Sequence, residues 1–582
     1  MAFEVMLIPI IILLLLNLTS AIDSKVSAGI NGRIRRQETV YPYPRVYNAM
    51  IMKANTSKFF ASEVDLIQFD RNENKESFSI SFVVHGDEEL IHIKAMAMLP
   101  SINVINKSIY FAHETTLDLH QQINYIGPKK RVTSLYSTIN DFPCYKDLKG
   151  SFDWMDAMVK RSKSIPGLSV TKTDIGDSWL KTQQTSEGYD MWVLKVTGIP
   201  SSPSSLTSAP KAVIFIMTGL HAREFAPPEL ASRWVESMIA GYGQNADITA
   251  ILDVTEIHLV LQSNPDGRQM VETNRNTMRR KNLNSENSLC PTIDQGVDLN
   301  RNFPFRWGLD SGSSPQECSW TFRGTAAVSE PEVRAIQKYT ESIFPVSQRK
   351  TRPYAQEKIP YSERKTMGVF LDIHSYGGMI LTPWGYSSNT VGNARAFQTI
   401  ADKVRYFTAY TKNIGYFASG SSMDFAYGLL GVAGMSFEIG DTFFQDCKTF
   451  ESSMLSENLP ALTYLAKIAR APFRLSKGPD ITNVSAVVNG NLLNVNITAS
   501  DSALSYDGVS TSQQSIRRIR VFLNIHPYSI SSSNLTRGYV LQSGIGVIDV
   551  SSLTNKERHV MYVEATDSAG YTGPITAAYF WK

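Results

Sequence analysis

Four short apolar runs limit what this chain can build. They read "KAVIFIMTG" (211–219), "EIHLVLQSN" (256–264), "TMGVFLDIHSY" (366–376) and "VAGMSFEIGD" (432–441). Stretches with helical patterning separate them. Such alternation predicts an α/β domain over residues 140–472, with a central mixed, largely parallel sheet flanked by helices. Two of the runs lead into chemistry. Residues 213–217 are followed by His221, Arg223 and Glu224, and residues 369–371 by His374 and a Gly-Gly turn. Polar groups at the mouth of a buried strand are costly unless something pairs with them.

The rest of the chain reads as separate units, as 582 residues exceed one ordinary core. The balance of 43% apolar to 19% charged residues is that of a globular protein rather than a disordered one. A net charge of +3 with no basic stripe argues against a nucleic-acid partner. Residues 5–18, "VMLIPIIILLLLNL", precede the small residues Thr19 and Ala21, which predicts a signal peptide over 1–21 and a secreted, extracellular protein. The leader lacks Lys and Arg and holds Glu4, so an uncleaved anchor stays open, and only then would the protein meet a membrane.

Residues 22–39 read as a flexible segment. In it Arg33, Arg35 and Arg36 are either a processing site or a solvated cluster. Residues 40–131 read as a small α+β domain, with an alternating strand in "SFSISFVVHG" (77–86), a second patterned run in "ELIHIKAMAML" (89–99), and "GPKKR" (127–131) at its end. Residues 478–582 carry short alternating strands, "NLLNVNIT", "IRRIRVFLNI" and "RHVMYVEATD", and predict an all-β sandwich of immunoglobulin or fibronectin-like type. Sequons at Asn55, Asn106, Asn483, Asn496 and Asn534 are candidate glycan sites if the leader is real. In an oxidising compartment the four cysteines, Cys144, Cys290, Cys318 and Cys447, allow three pairings.

His221 and Glu224, three apart at a strand-to-helix turn, can converge on one ion, and His374 at another strand end offers a third ligand. Two imidazoles and a carboxylate suit a zinc that keeps one position for water, and sites in open α/β sheets gather at the carboxyl ends of strands. Further motifs follow in order: "SNPDGR" (263–268), "GVDLNRNFPFRWG" (296–308), "RGTAAVSEPEVRA" (323–335), "IHSYGGMILTPWG" (373–385) and "SFEIGD" (436–441). With them, residues 140–470 resemble the zinc metallocarboxypeptidases of the carboxypeptidase A/B (funnelin) type.

The resemblance implies one zinc per catalytic domain, held by His221, Glu224 and His374. It implies Glu438 as general base and acid, and Arg280, rather than the adjacent Arg279, as the cation facing the oxyanion. Asn300, Arg301 and Tyr416 would hold the terminal carboxylate of a peptide or protein substrate, with Arg223 on the substrate's way in. Met423 would floor the pocket for the departing side chain, lined by Leu381, Gly385, Thr411, Gly415 and Ala418. No charge stands at those positions, which favours aromatic or aliphatic C-terminal residues. Ser421, where the family commonly has glycine, would narrow that pocket or add a polar contact, and Asp424, turned inward, would favour a basic residue instead. The resemblance also implies the disulfides Cys290–Cys318 and Cys144–Cys447. Residues 37–128 would be an activation domain released by a protease near Lys129, Lys130 and Arg131, or else a permanent accessory domain. Residues 345–366 read as an inserted surface loop that could rim the active-site funnel. Two alternatives stand beside a peptidase: a non-catalytic peptide- or surface-binding relative, and a zinc amidohydrolase acting on non-peptide amides.

Overall fold

The computed structural model describes residues 135–582 apart from 185, 200–209, 275–277, 287, 310–311, 414–416, 506–513 and 530–537. It also describes four strands nearer the N-terminus: Arg45–Met52, Asp65–Arg71, Ser77–Val84 and Ile102–Val104. These four make one antiparallel sheet, with Arg45–Met52 between Ser77–Val84 and Ile102–Val104. The leader, residues 22–39, "ELIHIKAMAML", the Lys129–Lys130–Arg131 run, Gly415 and Tyr416 lie outside the described residues, as do the sequons at Asn55, Asn106 and Asn534.

All four apolar runs become strands: Ala212–Thr218, Thr255–Val260, Val369–His374 and Ala433–Glu438. They are adjacent and parallel, Ala212–Thr218 pairing with both Thr255–Val260 and Val369–His374, and the latter also with Ala433–Glu438. Ala212–Thr218 and Val369–His374 are buried along their whole length. Central parallel strands are covered on both faces, hence the unbroken apolar composition instead of alternation. Asp190–Gly198 and Leu168–Asp177 extend one edge antiparallel, and the short strands Met379–Leu381 and Thr411–Asn413 extend the other, giving a mixed eight-stranded sheet.

Helices cover the sheet, among them Leu148–Ser162, Ala226–Gly241, Pro331–Ile343, Ala394–Thr408 and Leu455–Ile468. Their apolar sides join the strands in one core that includes Trp154, Trp234, Phe215, Phe370 and Tyr427. Helix starts follow local rules. Ala226–Gly241 carries prolines in its first turn, where no backbone N–H partner is lost, and Asp147 caps Leu148–Ser162 by accepting from the Gly150 amide. Among the described residues no helix is long and apolar enough to cross a membrane.

Residues 480–581 form two antiparallel sheets. One orders the strands Asp480–Asn489, Leu492–Ser500 and Ile545–Asp549, with Leu492–Ser500 in the middle. The other orders Tyr539–Leu541, Ile516–Leu523, Arg558–Asp567 and Thr576–Trp581. Leu493, Val495, Ile497 and Ile548 from the first meet Ile519, Val521, Met561 and Val563 from the second in a core of their own, which makes a sandwich. Phe522, Tyr562, Ile575 and Ala577 pack on Ala246 and Ala250 of helix Ala246–Val254, seating the sandwich on the α/β domain. A buried ion pair, Lys403 with Asp480 at 2.5 Å, crosses the same seam.

Cys144 bonds to Cys447 and Cys290 to Cys318. The 345–366 insertion is anchored rather than loose. Tyr354 stacks on Phe305 with rings 5.2 Å apart, Glu357 pairs with Arg306 and accepts from the Tyr386 hydroxyl at 2.5 Å, and Tyr361 is buried and donates to Gly428 O at 3.1 Å.

Candidate metal centre

Parallel pairing brings three strand ends to one edge of the sheet. Register sets Ile373 beside Thr218 and His374 beside Glu438. Past Thr218 the chain turns at Gly219, whose φ is +64°. That left-handed conformation favours glycine, and a Cβ there would also displace the end of the Gln262 side chain, 2.9 Å away. The turn leads through His221 and Glu224 directly into helix Ala226–Gly241.

Residues of "SNPDGR" brace that turn. Asn264 donates to Leu220 O at 3.3 Å and accepts from Gly267 N at 3.1 Å, capping helix Pro265–Thr273. Arg268 donates to Glu224 O at 3.1 Å and lies over the Phe225 ring at 4.3 Å.

The three candidate ligands converge. His221 Nδ1 is 2.8 Å from Glu224 Oε1, His374 Nδ1 is 3.1 Å from Glu224 Oε2, and the two Nδ1 atoms are 3.0 Å apart. One ligand atom from each residue lies within 4.8 Å of the others, and all three residues are buried. The opposite ring nitrogens face carboxylates. His221 Nε2 is 3.2 Å from Asp298 Oδ1, and His374 Nε2 is 2.8 Å from Asp372 Oδ2. A carboxylate behind each imidazole fixes ring and tautomer so that the other nitrogen presents its lone pair to a cation. The donor set therefore fits zinc: two neutral imidazoles and a carboxylate on one point. Asp298 and Asp372 were not singled out from sequence. The one signal for them is position, inside "GVDLNRN" and two residues before His374 in a buried strand, where a carboxylate demands a partner.

Asp298 links this centre to Arg280, accepting on Oδ2 from both Nε and Nη2 at 2.9 Å. Burial opposes its ionisation, but the charges of Arg280 and Arg301 outweigh burial and hold its carboxyl well below the usual range. Arg280 Nη1 lies 3.3 Å from His221 Nδ1. Arg279 points elsewhere, donating to the carbonyls of Asn282 and Gln295 at 2.9 and 2.8 Å and to that of Thr292. Asn300 Nδ2 lies 3.2 Å from His374 Nε2, and its Oδ1 accepts from Ser422 N at 2.9 Å. Arg301 is buried next to it and donates to Asn300 O at 3.0 Å and to Gly312 O. Glu438 is half-buried at the end of its strand. Arg223 is held between rings, its guanidinium 3.9 Å from the Phe443 centroid and 4.7 Å from that of the exposed Trp320.

Met423 clusters with Met379 and Leu381, all buried. Gly385 joins them, for a Cβ there would meet Met423 Cε at 3.3 Å, and Ala418 N donates to Gly385 O at 2.7 Å. Thr411 is exposed and its hydroxyl donates to Gly378 O at 3.3 Å. Asp424 accepts from Gly385 N and Tyr386 N on its two oxygens, each at 2.9 Å. Burial pushes its carboxyl up to about 7 against the pull of those two donors. The Ser421 hydroxyl is likewise taken, capping the short helix Ser422–Phe425 by accepting from Asp424 N at 3.4 Å.

Residues 169–455 match the zinc carboxypeptidase family. The chain is 27% identical to human (Homo sapiens) carboxypeptidase A1 over 314 residues, covering 52% of this chain and 64% of that relative. It is 29% identical to carboxypeptidase O of Bos taurus over 292 residues, covering 48% and 66%. The matched region thus spans just under two thirds of the length of these relatives. Among solved structures, thrombin activatable fibrinolysis inhibitor aligns with a TM-score of 0.48 at 22% identity, over 74% of this chain and 99% of that one. Carboxypeptidase A from Helicoverpa armigera aligns with a TM-score of 0.48 at 20% identity, over 73% and 98%.

Proposed function

We propose, from the premise that residues 169–455 are a domain of the zinc carboxypeptidase family, that this chain is a zinc-dependent exopeptidase. It would remove single residues from the free C-terminus of peptides and proteins, with a preference for aromatic or aliphatic side chains. The observation that carries the reading is the convergence of His221, Glu224 and His374, with Glu438 paired with His374 on the neighbouring strand.

Zinc, when bound, supplies Lewis-acid charge and makes water a usable nucleophile near neutral pH. Glu438 takes the attacking water's proton and hands it to the leaving amine. Arg280, fixed by Asp298, meets the negative charge that develops on the carbonyl oxygen, and a preoriented cation there costs no reorganisation during reaction. Asn300, Arg301 and Tyr416 grip the substrate's terminal carboxylate, which a planar guanidinium matches bidentately where a lysine would not. Arg223 contacts the incoming peptide. Met423, Met379 and Leu381 receive the departing side chain, and with the Asp424 oxygens already bonded to two backbone amides, that pocket gains from apolar area rather than charge.

Residues 1–21 would direct secretion, residues 40–131 would restrain the enzyme until cut near Arg131, and residues 478–582 would remain attached as an accessory sandwich. The test is hydrolysis of two blocked dipeptides, one ending in Phe and one in Arg, before and after limited trypsin treatment, with and without a zinc chelator. Chelator-sensitive release of Phe that rises after the cut supports the whole reading. Release of Arg instead overturns the pocket assignment. No release from zinc-replete, folded protein overturns the catalytic assignment and favours a peptide-binding role.

A further inference from the structure

The outer face of the three-stranded sheet in the sandwich mixes exposed apolar side chains with polar ones. On its central strand Leu493, Val495 and Ile497 are buried between the sheets, so Leu492, Asn494 and Asn496 point outward. Register sets Val487, Asn494 and Val547 on one rung and Ser485, Asn496 and Ile545 on the next. Residues opposite one another on neighbouring strands share a face, with Cβ atoms about 4.5–5.5 Å apart. Val487 is 65% exposed, Val547 58%, Ile545 72% and Leu492 48%. Four apolar side chains therefore share one open face with Asn494 and Asn496, and Ser485, Asn489 and Asp549 complete its three rungs. Apolar side chains exposed together on one sheet face are either covered by something or an aggregation liability.

Asn496 opens the acceptor tripeptide Asn496-Ile497-Thr498, and both Asn496 and Thr498 are exposed. The disulfides Cys144–Cys447 and Cys290–Cys318 belong to an oxidising compartment, which in eukaryotic cells is also where such acceptors are glycosylated. We infer that Asn496 carries an N-linked glycan and that this glycan covers the patch formed by Val487, Leu492, Ile545 and Val547. The occupant of the face is a bulky, solubilising oligosaccharide attached at its centre. The donor is a lipid-linked oligosaccharyl pyrophosphate. Its anomeric C1–O bond to pyrophosphate breaks, a C1–N bond to Asn496 Nδ2 forms, and the lipid pyrophosphate leaves with one amide proton. The neighbouring sequon at Asn483 is less suited, since Asn483 is half-buried across the ladder from Thr498.

The test uses the full chain secreted from a glycosylating eukaryotic cell. Peptide mass mapping is expected to find a glycan on Asn496, and Asn496→Gln and Thr498→Ala are each expected to lose the mass of one oligosaccharide. Both variants keep the thermal midpoint and peptidase rate of the parent, yet bind more of an apolar dye and sediment as larger species. Adding Ile545→Lys to Asn496→Gln reverses that gain, and Asn483→Gln does not reproduce it. An unmodified Asn496 in the secreted protein overturns the inference. So do glycan-free variants whose dye binding and sedimentation match the parent, and so does a discrete dimer of the parent that buries Ile545, which would give the face to a second copy.

Discussion

Nδ1 of His221 and Nδ1 of His374 lie 3.0 Å apart across 153 residues of sequence, each ring backed by a different aspartate. Two lone pairs directed at one point repel unless a cation or a proton sits between them. The aspartates hold the rings so that they cannot turn away. The centre is therefore built for a cation by residues that do not touch it.

Removing one of those supports should weaken metal binding without emptying the site. Asp298→Asn keeps the size of the side chain but loses the charge behind His221 and the ion pair to Arg280. Zinc affinity is expected to fall roughly 10- to 100-fold, read by competition with a chromophoric chelator. Unchanged affinity would show that Asp298 only positions Arg280.

The adjacent arginines should separate cleanly. Arg280→Ala is expected to lower kcat by about 10²–10³, the cost of losing one oxyanion donor, and to lower the melting temperature too, because it leaves the buried Asp298 carboxylate without its ion-pair partner. Arg279→Ala is expected to lower the melting temperature with kcat largely kept, for its guanidinium holds buried backbone carbonyls of Asn282 and Gln295. Steady-state kinetics and thermal melts on both variants check this. Equal kcat losses would sink the distinction.

Truncating the pocket should act on apolar substrates. Met423→Ala removes the side chain that packs against Met379 and Leu381. The kcat/KM for a Phe-ended substrate is expected to drop by about 10- to 200-fold, the range for apolar contacts in such a pocket. The value for an Ala-ended substrate is expected to stay near the parent's. A loss of equal size on both substrates would point to misfolding of the loop instead.

A buried acid pair should tie stability to pH. Asn282 Nδ2 donates to Glu330 Oε2 at 2.7 Å and to Glu332 Oε2 at 3.2 Å, and Glu332 also accepts from Trp179 N at 2.8 Å. Burial first, then the charge of Glu330, pushes the Glu332 carboxyl up to about 8. The folded protein thus keeps a proton that the unfolded chain releases near its ordinary 4.5. Stability from this group is fully present below about 4.5 and is lost as pH rises toward 8. Glu332→Gln, a neutral stand-in, is expected to flatten the fall in melting temperature between those limits. A parent and variant with parallel pH profiles would contradict the shift.

Much of the architecture was legible because it is local. Each of the four apolar runs had to be a buried strand, and His221, Glu224, His374 and Glu438 then fell at a strand end or the turn after it, while Asn300 and Arg301 sit in the short helix Leu299–Arg301 and Met423 in Ser422–Phe425. His221 and Glu224 share one turn, so their spacing alone brought them together. The sandwich was legible from alternation of the kind Leu493, Val495 and Ile497 display. What a side chain does in the assembled site was less so. Asp424 could have faced the pocket or turned from it, and only the fold shows its oxygens bonded to the amides of Gly385 and Tyr386, 39 and 38 residues away. That the Ser421 hydroxyl caps the helix Ser422–Phe425 was likewise not legible. The 345–366 insertion read as a polar surface loop and is mostly exposed or half-buried, but only the fold shows Tyr361 reaching into the core.

The sequence by itself determined the parallel α/β core, the β-sandwich and the residues able to hold a metal, because strand and helix periodicity and ligand chemistry are properties of short segments. Only the tertiary structure decided that Asp298 and Asp372 back the two imidazoles, that Arg280 and not Arg279 reaches His221, and that Asn496 stands among exposed apolar residues. Those relations join residues on different strands and loops. Sheet register and the packing of the whole core set their distances, and no spacing along the chain encodes either.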